Sequence, residues 1–250
     1  MIKLLRLETF KLRRRKMWLV PLLFLLVIGF WMMTGTMQYK ARGHAIPWEY
    51  LMYQFGMINA LLLSLMVAII ASRLCDMELK GETLRMLTPI ASAKAVYACK
   101  FLYGSILLLL TVICEAAIML GIGLLIGISG NIPLIHILGM YFGTFMVAVC
   151  TLALQQALSF LFQNQMVCFI VGICGSFLGF LALLFPPIIQ QFSFWSYYAD
   201  FSGVLMQYYP NTRTMDFWFL PFPWNRLLVI LALMALFYLV GQKKFVRKEW

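Results

Sequence analysis

Long apolar runs, separated by short polar breaks, dominate the sequence. Six runs are long enough to cross a bilayer as a helix, which needs ~20 mostly apolar residues. They predict spans at about 17–37, 52–72, 97–128, 133–162, 166–189 and 223–241. The runs lack the apolar–polar alternation of membrane barrel strands. The pattern therefore predicts an all-α polytopic membrane protein whose single transmembrane domain is 1–250.

Composition and charge place this fold in a membrane and orient it. Apolar residues make up 63% of the chain and charged residues 12%, against roughly 45–50% and 25% in soluble domains. The net charge is +11, yet sixteen of the twenty basic residues fall within 1–16, 73–100 and 243–248. Basic residues mark cytoplasmic loops. We therefore expect both termini in the cytoplasm and no nucleic-acid partner.

The sequence lacks the common catalytic and metal-binding motifs. The sequence has no GxxxxGK[ST], HExxH or GxSxG motif, and its six cysteines form no CxxC pair. Asp200 and Asp216 fall in a long outer loop, where solvated loop charges are the favoured interpretation. We expect no enzyme, and assign no catalytic or metal-ligating residue.

The inner segment 73–96 between spans two and three has an unusual pattern. Charges of alternating sign are interleaved with leucines from Arg73 to Leu87, as in an amphipathic helix at a membrane surface. Pro89 ends that helix, and Ser92 is a candidate N-cap for the third span. A mixed-charge helix suits docking on a protein of complementary charge. The alternative is a solvated loop without a partner.

The order of residues in this segment resembles the coupling segment of type 2 ATP-binding-cassette (ABC) permeases. The resemblance lies in Glu78, Glu82-Thr83, Leu84-Arg85-Met86-Leu87, Pro89, Ser92 and Lys100. The whole chain is similar to that family, with a basic start, six spans and an aromatic outer region before the last span. Its size and Lys-Leu-Arg start resemble the bacterial lantibiotic-immunity and bacitracin-type branch.

The resemblance implies the type 2 ABC exporter permease fold and a set of partners. A separate ATP-binding subunit would carry ATP and Mg, with no cofactor in this chain, and a second permease subunit would complete a homo- or heterodimer. Contact with the ATPase would involve Glu78, Lys80, Glu82, Thr83, Arg85 and Pro89, and 1–16 would form an elbow helix.

The function that the resemblance implies is export of a lantibiotic or similar antimicrobial peptide from a bacterial cell membrane, conferring immunity. Two alternatives stay open at this point. One is a stand-alone channel or ion-coupled transporter, and the other is an ABC permease for another drug or lipid.

Glu115 is an ionisable residue deep within the third predicted span. A carboxyl group there is costly unless it is neutral, paired or facing water. Thr151 and Gln155 of span four are candidate partners at similar depth. Either Glu115 lines the path of a cationic peptide, or it makes a hydrogen bond that only packs helices.

Aromatic residues crowd the outer region 190–222, including Trp195, Tyr197, Tyr198, Tyr208, Tyr209 and Trp218. Such residues favour the headgroup level of a membrane. We expect one or two short helices in the outer leaflet, broken at Pro210, Pro221 and Pro223. They either contact the substrate or anchor the last span.

Three GxxxG pairs fall within predicted spans, at Gly123/Gly127, Gly139/Gly143 and Gly175/Gly179. Small residues at this spacing allow close packing. The partner could lie in this subunit or in a second one.

Overall fold

The computed structural model describes residues 16–80, 92–128, 130–162, 165–209 and 214–247. In chain order its elements are α1 (Leu19–Ala41), α2 (Trp48–Ile58), a π-helical turn (Asn59–Leu63), α3 (Ser64–Lys80), α4 (Ala93–Ile126), α5 (Leu134–Leu161), α6 (Gln165–Ala182), α7 (Pro187–Gln190), a 3₁₀ turn (Phe194–Ser196), α8 (Tyr197–Asp200), β1 (Val204–Tyr209), β2 (Thr214–Phe219) and α9 (Trp224–Arg247). Within the described residues six spans are long and apolar enough to cross a membrane, with α2 and α3 forming one of them. The predicted all-α polytopic fold is confirmed.

We call the end of the bundle that carries residues 41–48, 126–128, 130–134, 182–209 and 214–224 the outer end. The opposite end is the cytoplasmic end. These names follow the orientation that the basic residues predict.

Local signals explain where the helices begin and end. The Ser92 hydroxyl accepts a hydrogen bond from the Ala95 N–H at 3.3 Å, as predicted for an N-cap. Gly127 ends α4 in the left-handed conformation, with φ 73°, which glycine adopts without a steric penalty. The helix α6 ends at Ala182, earlier than predicted, and a turn leads from it to Pro186. The helix α9 instead continues beyond its apolar run to Arg247.

The helix α5 lies at the centre of the bundle, where it packs against α3, α4 and α9. Its middle section from Val147 to Leu152 belongs to a buried cluster shared with α3 and the outer region. A second cluster joins the outer halves of α1, α2, α4 and α5. Around Tyr97 a third cluster holds the cytoplasmic ends of α3, α4, α5 and α9 together. Buried apolar clusters thus occur from the outer end to the cytoplasmic end of the bundle.

The outer region differs from the prediction of short helices alone. Short helices do occur before residue 201, but β1 and β2 then form an antiparallel hairpin in which Val204 pairs with Phe219 and Leu205 with Trp218. Burial alternates over part of each strand: Val204 and Met206 are less exposed than Leu205, and Phe217 and Phe219 less than Trp218, as expected when successive side chains point to opposite faces. One face packs inward, with Phe219 stacked on His136 and Phe217 edge-on to Tyr50. Pro221 and Pro223 follow β2, whereas Pro210 lies outside the described residues.

The glycines of the GxxxG pairs lie against aromatic residues of the same subunit, except Gly127, where a Cβ atom would meet nothing within 4 Å. Gly175 and Gly179 of α6 contact Trp195, and Gly143 of α5 contacts the ring of Phe201. A Cβ atom at Gly175 would lie 2.5 Å from the Trp195 ring, closer than non-bonded carbon atoms approach. The outer region is therefore held on the bundle by rings that lie in glycine-lined notches.

Candidate functional site

A polar contact lies inside the bundle where α2 changes into α3. The Asn59 side-chain amide donates a hydrogen bond to Glu115 Oε1 at 2.7 Å, and both side chains are fully buried. Asn59 is the first residue of the π-helical turn. Such turns frequently occur at functional sites because they interrupt the regular helical ladder. The sequence offered one signal for this contact, an asparagine within an apolar run.

Glu115 retains polar capacity beyond this contact. Its Oε2 atom and the Asn59 Oδ1 atom are buried without a hydrogen-bond partner among the described residues. The Tyr141 hydroxyl donates to the backbone carbonyl of Glu115 at 3.4 Å. Buried polar atoms without partners are costly. The contact between the π-helical turn, α4 and α5 therefore leaves two buried polar atoms without a hydrogen bond among the described residues.

The two residues predicted as partners of Glu115 lie in other contacts. The Thr151 hydroxyl donates to the Val147 carbonyl of its own helix at 2.9 Å, a bond that threonine commonly makes within helices. The Gln155 amide is oriented so that both its nitrogen and its oxygen have partners. The nitrogen donates a hydrogen bond to the Cys168 carbonyl, and the oxygen accepts one from the Gly172 N–H. It therefore joins α5 to α6. Asn59 is the side-chain partner of Glu115 instead.

The outer region reaches into the bundle through Tyr198. This fully buried tyrosine places its hydroxyl beside Ser64 and Thr151. Burial raises the pKa of Tyr198 above its usual value, so the hydroxyl is neutral at physiological pH. The predicted aromatic set is thereby divided: Tyr197 and Tyr198 are buried, whereas Tyr208, Tyr209 and Trp218 remain exposed.

A cavity of about 430 Å³ lies at the outer end. Its walls come from α2, α8, β1, the turn after α6 and the start of α9. Apolar lining residues are Met57, Leu183, Val204, Leu205, Met206, Leu220, Pro221 and Pro223. Tyr53, Gln190, Asp200 and Arg226 add polar atoms to the lining. The volume falls within the ~300–1,000 Å³ typical of ligand pockets.

An ion pair forms one part of the cavity wall. Arg226 Nε lies 3.0 Å from Asp200 Oδ2, and the two side chains are 17% and 21% exposed. The guanidinium also lies over the Tyr197 ring, 4.8 Å from its centroid. Burial raises the pKa of the Asp200 carboxyl, while the charge of Arg226 acts in the opposite direction. Asp200 is thus a partly buried, paired group, and its interpretation as a solvated loop charge was wrong. The other acidic residue of the outer loop, Asp216, is exposed.

At the cytoplasmic end the Lys100 side chain of α4 makes a hydrogen bond to α3. Its side chain is fully buried, and its ammonium group donates to the Leu74 carbonyl at 3.0 Å. Leu74 lies in α3, at the start of the predicted coupling segment 73–96. Displacement of that segment would therefore act on α3 and α4 together.

The predicted ATPase-contact residues fall largely outside the described part of the chain. Glu82, Thr83, Arg85 and Pro89 lie outside the described residues, as does most of the predicted elbow. The backbone of α3 includes Glu78 and Lys80, whose side chains are not described. Their role stays a prediction. Across the described residues no group of three histidine, cysteine or acidic side chains is arranged to hold a metal ion.

Comparison with known proteins gives one family. Residues 4–179 match the family described as ABC-2 family transporter protein. No curated protein matches the chain.

Proposed function

Because the chain belongs to the ABC-2 family of transporter proteins, which makes it the membrane permease of an ABC transporter, we propose that it exports an antimicrobial peptide such as a lantibiotic. The family implies a separate ATP-binding subunit. ATP and Mg would be held by that subunit, and a second permease would complete the complex. The resulting exporter would act in a bacterial cell membrane.

The observation that supports ATP-coupled transport is the continuity of the second span. Tyr53 and Met57 of α2 line the outer cavity. Asn59 lies two residues after Met57 and donates a hydrogen bond to Glu115. The span then continues as α3 to the cytoplasmic end, where residues 73–96 are predicted to dock on the ATPase. One interrupted helix thus joins the predicted ATPase contact to the cavity.

The interruption at Asn59 suits a conformational role. Helices bend where their hydrogen-bond ladder is disturbed, and a π-helical turn is such a disturbance. Closure of the ATPase would displace α3, and the turn would let α2 respond by changing its angle. Transport would then require the contact between Asn59 and Glu115 to open and re-form.

Burial supports a packing role for Glu115 in this conformation. The side chain is fully buried between helices of one subunit and receives a neutral amide donor. A peptide-binding carboxylate would instead face a wet path. We assign Glu115 to the contact that holds α4 against the π-helical turn.

The proposal is tested by charge reversal in the coupling segment. Glu78→Lys combined with Glu82→Lys should abolish copurification of the ATPase and remove peptide resistance in cells that express the complex. The matched control is Asp216→Lys, which reverses an exposed acidic charge on the outer hairpin. It should leave both readouts unchanged. Full ATPase recovery with the double variant would contradict docking at this segment, and wild-type cells that gain no peptide resistance would contradict the proposed substrate.

A further inference from the structure

The outer cavity lies at the level of the membrane–water boundary. The turn after α6 and the start of α9 both contribute to its walls. Nearby Trp224, Tyr208 and Trp218 are 68%, 48% and 41% exposed. Exposed tryptophan and tyrosine favour the headgroup level of a bilayer. A molecule that enters this cavity therefore comes within reach of lipid headgroups.

The ion pair in the cavity wall retains hydrogen-bonding capacity. A guanidinium has five N–H donors, and a carboxylate has about four acceptor sites. Among the described residues Arg226 contacts Asp200 through Nε and the Tyr197 hydroxyl through Nη1 at 3.5 Å. Further donors on Arg226 and acceptor sites on Asp200 are thus open to a ligand in the cavity.

The wall presents a positive and a negative charge side by side. A ligand that satisfies both must carry an anion and a cation at a similar separation. Guanidinium groups bind phosphate well through paired N–H donors. The positive N-terminal end of α9, whose first turn includes Arg226, adds to this preference. A carboxylate, in turn, binds a primary ammonium by charge-assisted hydrogen bonds.

The other lining residues require that this ligand also be apolar. Met57, Leu205 and Met206 lie on the α2 and β1 sides, and prolines lie before α9. Such walls suit the ester and acyl parts of a lipid, whose charged end would lie at Asp200 and Arg226.

We propose that the outer cavity binds a phosphoethanolamine lipid of the outer leaflet, with its phosphate on Arg226 and its ammonium on Asp200. The proposal does not depend on the transported molecule being a peptide. It gives the cavity a lipid ligand that contacts α2, the helix that we infer to move during transport.

The test measures lipid retention by the purified complex of permease and ATPase. The complex is exchanged into micelles that contain equal amounts of dioleoyl-phosphatidylethanolamine, -phosphatidylcholine and -phosphatidylglycerol, and retained lipids are counted by native mass spectrometry. Phosphatidylethanolamine should be retained about tenfold over each of the other two, because each of these lacks one charge-assisted contact. Equal retention of the three lipids would overturn the proposal.

Two variants and two controls assign the preference to this cavity. Asp200→Asn should remove the preference over phosphatidylglycerol, because the ammonium loses its carboxylate. Met206→Trp leaves the ion pair in place and should reduce retention by filling the cavity. Arg42→Gln and Asp216→Asn change exposed outer charges and should have no effect. A preference that persists in both cavity variants would place the lipid elsewhere and overturn the proposal.

A peptide ligand is the competing outcome. A cationic antimicrobial peptide that binds in place of lipid in the wild type, and not in Asp200→Asn, would overturn the lipid assignment. Resistance measurements separate the two proposals. If cells keep peptide resistance while the complex shows no lipid preference, only the lipid proposal fails.

Discussion

At the scale of single residues, Glu115 provides the sharpest test of how the bundle is held. Glu115→Gln keeps an oxygen that can accept from the Asn59 amide, so expression, thermal stability and peptide resistance should all stay near wild type. Glu115→Leu leaves that buried amide without an acceptor, which should cost roughly 1–3 kcal/mol. Thermal unfolding of the purified protein and resistance of expressing cells measure both effects.

The opposite pattern would restore a substrate role for Glu115. A Glu115→Gln variant that folds normally but confers no peptide resistance would show that the negative charge itself is required. Cys114→Ala provides a control at similar depth on the same helix, because the Cys114 side chain is exposed. It should change stability and resistance little.

Glu115 also shows what sequence reasoning can and cannot establish at this scale. Its position within an apolar run was enough to predict a buried carboxyl group. The partner could not be predicted, because Asn59 lies 56 positions away and the π-helical turn changes which side of the span faces α4. Threonine and glutamine at similar depth were reasonable candidates, but depth does not determine the direction of a side chain.

At the scale of elements, the outer region was predicted less well than the spans. The spans follow from apolar length, which is a strong signal. The hairpin depends on alternation over part of each six-residue strand, and dense aromatic residues on both faces mask that pattern. The inward packing of Trp195, Tyr198 and Phe201 depends on notches in distant helices, which no local pattern reveals.

The notch at Gly175 gives a prediction about how the outer region is attached. Gly175→Ala would place a Cβ atom 2.5 Å from the Trp195 ring, so the ring must move. Overpacking of this kind costs typically ~1–3 kcal/mol. The melting temperature of the purified protein should therefore fall.

The chain supplies a matched control for this substitution. Gly121 also lies within a span, but a Cβ atom there would meet nothing within 4 Å. Gly121→Ala should leave the melting temperature unchanged or raise it slightly, because alanine favours helix over glycine. An equal fall in both variants would mean that glycine is needed for helix geometry and not for the Trp195 contact.

At the scale of the whole molecule, two connections lead outward from α3. Lys100 connects α3 to α4, and the π-helical turn joins α3 to α2. If ATP hydrolysis on the partner drives transport, displacement of α3 would reach α4 through Lys100 and α2 through the π-helical turn. Packed side chains and rigid helices that have two discrete arrangements can carry coupling between distant sites.

Lys100→Met tests the first of these connections. Methionine can fill the space of the buried lysine stem, although loss of the bond to the Leu74 carbonyl should cost roughly 1–3 kcal/mol of stability, so expression is measured alongside resistance. The variant should still copurify with the ATPase, because the docking segment itself is unchanged. Peptide resistance should fall, because α3 would move without carrying α4. Lys94→Met, an exposed lysine in the first turn of the same helix, should keep both ATPase recovery and resistance. Full resistance in Lys100→Met at equal expression would mean that transport does not require the bond between Lys100 and α3.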